Sequence, residues 1–136
     1  MTQPQTLYTA KVHVAGGRDG SARSDDGRLD IKLSTPGGPG SGTNPEQLLA
    51  AGWSACFQGA MAIAAKQMDI ELGEVAVDAE IDLNLAGGGF VLAARLNISL
   101  PGLDWAAAHQ VIEAAHRTCP YSKALEGNVD IKFNLI

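Results

Sequence analysis

Apolar side chains recur along this chain in two rhythms, and each rhythm predicts a different kind of element. Between Leu7 and Val14, the residues Tyr8, Ala10, Val12 and Val14 alternate with Thr9, Lys11 and His13, the two-residue period of a half-buried strand. Gly16-Gly17-Arg18-Asp19-Gly20 then makes a turn-forming cluster. Ser21 to Ser24 and Arg28 to Leu33 flank Asp25-Asp26-Gly27, and Asp-Gly between two extended stretches signals a hairpin. The first quarter therefore predicts a small antiparallel sheet.

Ser34 to Gly42 is rich in Gly, Pro and Ser and reads as a loop. Thr43-Asn44-Pro45-Glu46 follows with the spacing of a capping box, which predicts a helix running to about Met68. Between Leu48 and Ala65 the only polar groups besides the Trp53 indole are Ser54 and Gln58. A helix so apolar around its whole circumference is normally buried on most sides. Glu74 to Leu85 and Phe90 to Leu100 alternate again around Gly87-Gly88-Gly89, a second and longer hairpin. Pro101-Gly102 ends it, and Asp104 can cap a helix from Trp105 to about Thr118. Trp105, Ala108, Val111, Ile112 and Ala115 form its expected buried stripe, with His109, Glu113, His116 and Arg117 outward. Pro120 disfavours helical geometry at Cys119, so the helix should stop there. A short turn from Tyr121 to Glu126, closed by Gly127, leads to a last strand from Val129 to Leu135.

Strands, a buried helix, a hairpin, a second helix and a final strand imply an α+β fold. The expectation is a single domain over residues 1–136, with antiparallel sheets wrapped around two central helices. One sheet covers an all-apolar helix poorly, whereas a second copy of the chain could cover the rest. An intertwined homodimer is expected for that reason.

Composition narrows the function classes. The chain is 46% hydrophobic and 18% charged, which suits a soluble globular protein with a packed core. Its net charge is -5 and its cations are scattered, so nucleic acid is not an expected partner, since that affinity needs clustered Lys and Arg. Met1 to Thr9 lacks the pattern of a secretory signal, and no apolar run approaches the roughly 20 residues that span a bilayer. A cytoplasmic protein with no membrane partner is the expectation. In such a reducing compartment its two cysteines, Cys56 and Cys119, would seldom form a structural bridge. An inert pair, a metal site and redox chemistry remain.

Cys56 lies in the apolar helix near Leu49, Trp53, Ala60 and Ile63. A buried cysteine often only fills space, and burial raises a thiol pKa that starts near 8.5. To act as a nucleophile, Cys56 needs a cation. Arg18, flanked by glycines, is the candidate, because guanidinium keeps its charge when partly buried. Glu46 precedes Cys56 by ten residues, about 15 Å along a helix, so it could hold Arg18 but not reach the thiol itself. Cys119 admits two local pictures, a thiol at the end of one helix or an N-cap before Pro120 of the next turn. No CxxC or HExxH accompanies His116 and Cys119, which weakens a zinc reading.

The local strings add a resemblance. Gly42 to Phe57, GTNPEQLLAAGWSACF, resembles the peroxidatic-cysteine motif of the organic hydroperoxide resistance family, the Ohr branch of the Ohr/OsmC superfamily. Cys119 to Asn128, CPYSKALEGN, is similar to its resolving-cysteine motif, and Gly16 to Pro36 is similar to its arginine loop. The resemblance implies that Cys56 is the peroxidatic thiol, Cys119 the resolving thiol, Arg18 the cation that stabilises the thiolate and orients substrate, and Glu46 its ionic partner. It implies a homodimer, organic hydroperoxides as substrates, no resident cofactor or metal, and dihydrolipoamide or lipoylated proteins as the external dithiol. Trp53 stands where the family usually has tyrosine, the loop from Pro36 to Gly42 is short, and Lys123-Ala124-Leu125 leans towards the OsmC branch. The alternatives are a general OsmC-type peroxidase and a non-catalytic redox sensor built on the cysteine pair.

Overall fold

A computed structural model describes residues 3–136 as two compact units, the first ending at Pro45 and the second spanning Glu46–Ile136. In the first unit, β1 (Val12–Ala15), β2 (Ser21–Ser24) and β3 (Asp30–Lys32) form an antiparallel sheet in that order. The strand expected from Leu7 starts only at Val12. β2 ends at Ser24, which faces Val12, and beyond one bond from the Asp25 amide to the Lys11 carbonyl (3.0 Å) no strand among the described residues pairs with the earlier segment, so Leu7 and Tyr8 stay exposed. The Asp-Gly turn forms as expected. The Asp26 carboxylate accepts hydrogen bonds from Ser24 Oγ (2.6 Å) and the Arg28 amide (3.0 Å), while Gly27 takes a positive φ.

In the second unit, α1 (Pro45–Gln67) is followed by β4 (Ala76–Ala86), β5 (Gly89–Ser99), α2 (Trp105–Thr118), α3 (Pro120–Leu125) and β6 (Asp130–Leu135). The helix opens on Pro45, whose fixed φ suits a first helical position. Glu46 therefore falls one position short of the place a capping box counted from Thr43 would give it. Gly87 and Gly88 both have positive φ and turn β4 back onto β5, the backbone that a two-residue hairpin demands.

The sheet runs β4-β5-β6, with β5 and β6 parallel, so it is mixed where only antiparallel pairing was expected. The reason lies in the connection: α2 and α3 carry the chain across the sheet and return it in the same direction. Alternation sorts the sheet's faces. Val77, Ala79, Ile81, Ala94, Leu96, Ile98, Ile131, Phe133 and Leu135 pack on the helices. On the other face Arg95 grips Asp82 through two hydrogen bonds of 2.8 and 2.9 Å, and Asn97 bonds Glu80 at 2.8 Å.

The core places Trp53, Phe57 and Met61 of α1 and Val111 of α2 against Leu96 and Ile98, all fully buried. Burial contributes about 1.5–3 kcal/mol for each such side chain. Several expectations about the helices change. The apolar surface of α1 is covered on one face only, leaving Ala51, Ala55, Gly59, Ala62 and Ile63 exposed within the chain. It also has the length and composition of a bilayer-crossing helix, so the expectation that no segment reaches that size fails, although its buried face here packs on the sheet. On α2, Trp105 is exposed, because it occupies the first helical position outside the core and stacks on His109 at 4.0 Å. His116, expected outward, is half-buried, with its ring edge-on to Phe133 and Nε2 2.6 Å from Glu126.

Candidate active site

The two cysteines, 63 positions apart in sequence, lie with their sulfurs 3.5 Å apart. Three elements bring them together. Cys56 sits at the middle of α1, one helical turn beyond Trp53, so both project to the same side. Cys119 sits at the junction of α2 and α3, fully buried. Both local pictures of Cys119 hold at once: its amide closes α2 by donating to the Ala115 carbonyl, and it is also the N-cap of α3, with Pro120 as the first helical residue. Its extended backbone, φ -62° and ψ 121°, is the geometry that Pro120 imposes on its predecessor. The expected turn from Tyr121 to Glu126 is this short helix α3, made possible by the Cys119-Pro120 start.

Burial pushes the Cys56 thiol pKa above its ordinary value. The Tyr121 amide opposes the shift by hydrogen-bonding the sulfur, while the adjacent Cys119 sulfur raises it further. Both cysteines are free thiols. Around them α1 and α3 are fastened in two more places. The Trp53 indole donates to Ser122 Oγ at 3.0 Å, with both residues fully buried. The Tyr121 ring lies over Gly52, where an added Cβ would come within 2.7 Å of the phenol oxygen. Gly52 thus leaves room for the ring. Ser122 was missed in the sequence, though a buried indole N–H signals that some acceptor must be near.

Arg18 is placed in the first unit, in a 3-10 turn over Gly17–Asp19. Gly16 takes φ 80°, and a Cβ on Gly20 would collide with the Ala15 carbonyl oxygen at 1.8 Å, so these glycines set the turn. Asp19 anchors it by accepting from the Thr35 amide and hydroxyl, both at 2.9 Å, which hold its carboxyl below the usual carboxylate range. Glu46 is in the first turn of α1. The structure thus joins Cys56 to Cys119, and the Arg18-Glu46 pairing stays an expectation. Among the described residues no three His, Cys, Asp or Glu side chains gather in a way that could hold a metal ion.

Comparison with known proteins identifies the family. The model of the OsmC-like protein family matches residues 37–134. An organic hydroperoxide resistance protein of Xanthomonas axonopodis pv. citri is 46% identical, over 99% of this chain and 99% of its own length. The crystal structure of the organic hydroperoxide resistance protein OhrB of Bacillus subtilis superposes with a TM-score of 0.87 at 43% identity, covering 96% of this chain and 100% of that one. One from Legionella pneumophila gives a TM-score of 0.91 at 39% identity, covering 96% and 98%. With a family model over most of the chain and relatives above 40% identity along nearly all of it, the protein belongs to the Ohr/OsmC family.

Proposed function

We propose that the protein is a thiol peroxidase that reduces organic hydroperoxides to alcohols. The observation that carries this reading is the pair of free thiols 3.5 Å apart, in a chain whose relatives are named for organic hydroperoxide resistance. In the reaction the Cys56 thiolate attacks the peroxide oxygen, the O–O bond breaks, and the alkoxide leaves as alcohol after taking a proton. The resulting Cys56 sulfenic acid condenses with the Cys119 thiol, expelling water and forming the disulfide. A dithiol, of the dihydrolipoyl type, returns both cysteines to thiols by exchange. Organic peroxides are preferred over hydrogen peroxide in this reading.

The raised pKa of Cys56 defines what the rest of the site must supply. A thiol pushed up by burial is largely protonated near neutral pH, so a cation is required at the sulfur. Arg18 takes that role, with Glu46 as its ionic partner. Both belong to one functional domain, residues 1–136. The protein acts as a cytoplasmic homodimer, where a dithiol pool is available. The apolar face left open on α1, together with exposed Leu83, Leu85, Phe90 and Val91 near the β4-β5 turn, supports association of two copies.

The test is consumption of cumene hydroperoxide with dihydrolipoamide as donor. Wild type is expected to turn over repeatedly and to favour this peroxide over hydrogen peroxide at equal concentration. Activity surviving in Cys56→Ser would overturn the reading.

A further inference from the structure

The contact between α1 and α3 does more than bury surface. Along one side of α1, Gly52, Trp53 and Cys56 meet the N-cap and first residues of α3: Gly52 under the Tyr121 ring, Trp53 bonded to Ser122, and Cys56 beside Cys119. Of these, the Trp53-Ser122 bond is the direct polar tie that is fully buried at both ends, three residues from each cysteine (56 - 53 and 122 - 119). We propose that Trp53 and Ser122 are positioning residues for disulfide closure, holding the start of α3 at the distance from which Cys119 can reach the Cys56 sulfur.

The physical argument concerns the distance still to be covered. A disulfide requires the sulfurs at about 2.0 Å, so closing from 3.5 Å takes roughly 1.5 Å of approach. Three residues away on each helix, the buried N–H···O bond allows that small approach but resists a larger separation, because parting would strand a donor and an acceptor without water. The thiols are thereby kept near reacting distance before any oxidation, and such misplacement by an ångström is what slows intramolecular reactions. Without the bond, α3 can drift away from α1 and closure becomes slower. In the peroxidase reading, on which the physiological consequence rests, a slower closure leaves the Cys56 sulfenic acid longer in the presence of peroxide. A second peroxide molecule then converts it to sulfinic acid and releases a second alcohol.

The experiment measures closure without relying on peroxidase activity. Reduced protein is mixed with 4,4′-dithiodipyridine. The more accessible Cys56 attacks the reagent, releasing one thiopyridone and leaving a mixed disulfide. Cys119 then attacks the Cys56 sulfur, and the second thiopyridone leaves carrying the thiol proton on its ring nitrogen. Cys119→Ser, which should release only one, identifies the second phase. In Ser122→Ala and in Trp53→Phe, the ratio of the second rate to the first is expected to fall about tenfold. The double variant is expected to be no slower than the slower single one, since both remove the same bond. An unchanged ratio in Ser122→Ala, a change of a single atom that keeps the shape of the chain, would overturn the proposal. So would single effects that multiply in the double variant. The second arm counts Cys56 sulfinic acid by mass after a fixed dose of cumene hydroperoxide, and several-fold more is expected in Ser122→Ala. Slower closure in a protein that consumes no peroxide would leave this inference standing and dismiss the peroxidase reading. Normal consumption with unchanged closure would do the reverse.

Discussion

The middle of α1 and the junction of α2 with α3 each hold one cysteine, and the two regions treat the same side chain differently. Cys56 is carried on a continuous helix, half-buried, with its thiol pKa raised by desolvation. Cys119 is carried on a break between helices and is fully buried, its place set by Pro120 and by hydrogen bonds that close one helix and open the next. A reacting sulfur needs access, and helix α1 gives it a fixed direction with one side left open. In the proposed reaction the second sulfur needs position, and the helix junction supplies it.

Removing one side of this comparison should have the largest effect. In Cys119→Ser, dithiol-driven turnover of cumene hydroperoxide is expected to fall at least about 100-fold, while Cys56 is oxidised by one peroxide to the sulfenic acid and by a second to sulfinic acid, which accumulates by mass. Equal turnover in wild type and Cys119→Ser would erase the difference in roles between the two regions.

A smaller effect concerns the charge state on the Cys56 side. Alkylation by iodoacetamide follows the thiolate, so its rate rises with pH through the Cys56 pKa. Burial and the adjacent sulfur raise the Cys56 pKa against the Tyr121 amide, and in the proposed reading Arg18 offsets them, so its removal should move the profile to higher pH. At pH 7 labelling of Cys56 in Arg18→Ala is expected to slow by about tenfold. Coincident profiles would show that Arg18 does not act on this thiol.

The smallest effect lies on the Cys119 side. Asp104 caps α2 by accepting from the Ala107 amide at 2.8 Å, and α2 ends at Cys119. Asp104→Ala should lower stability by about 1 kcal/mol in thermal or urea unfolding, with no change in the pH profile of Cys56 alkylation. A shifted profile would mean that the two regions are coupled more tightly than their separate supports suggest.

Much of this was legible in the sequence. The long alternating segments either side of the triple glycine became β4 and β5, Asp104 became a cap, and the apolar run after Asn44 became α1, because local periodicity and capping are properties of neighbouring residues. The two thiols could be singled out by their company in the motifs. Less was legible where an outcome depended on distant partners. Leu7 to Ala10 alternate like a strand, but among the described residues no strand pairs with them, and Trp105 fits the helical period yet falls outside the core. Tyr121 to Glu126 reads as a turn until Cys119 and Pro120 are seen to start a helix.

The sequence by itself determined the elements, their order and the chemistry available: an apolar helix carrying one thiol, and a second thiol beside a proline. Only the tertiary structure decided which face of α1 is covered, that β6 runs parallel to β5, and that the thiols meet at 3.5 Å with Trp53 tied to Ser122 beside them. The reason is range. Periodicity and caps act over a few residues, whereas the distance between Cys56 and Cys119 is set by packing among helices far apart in the chain.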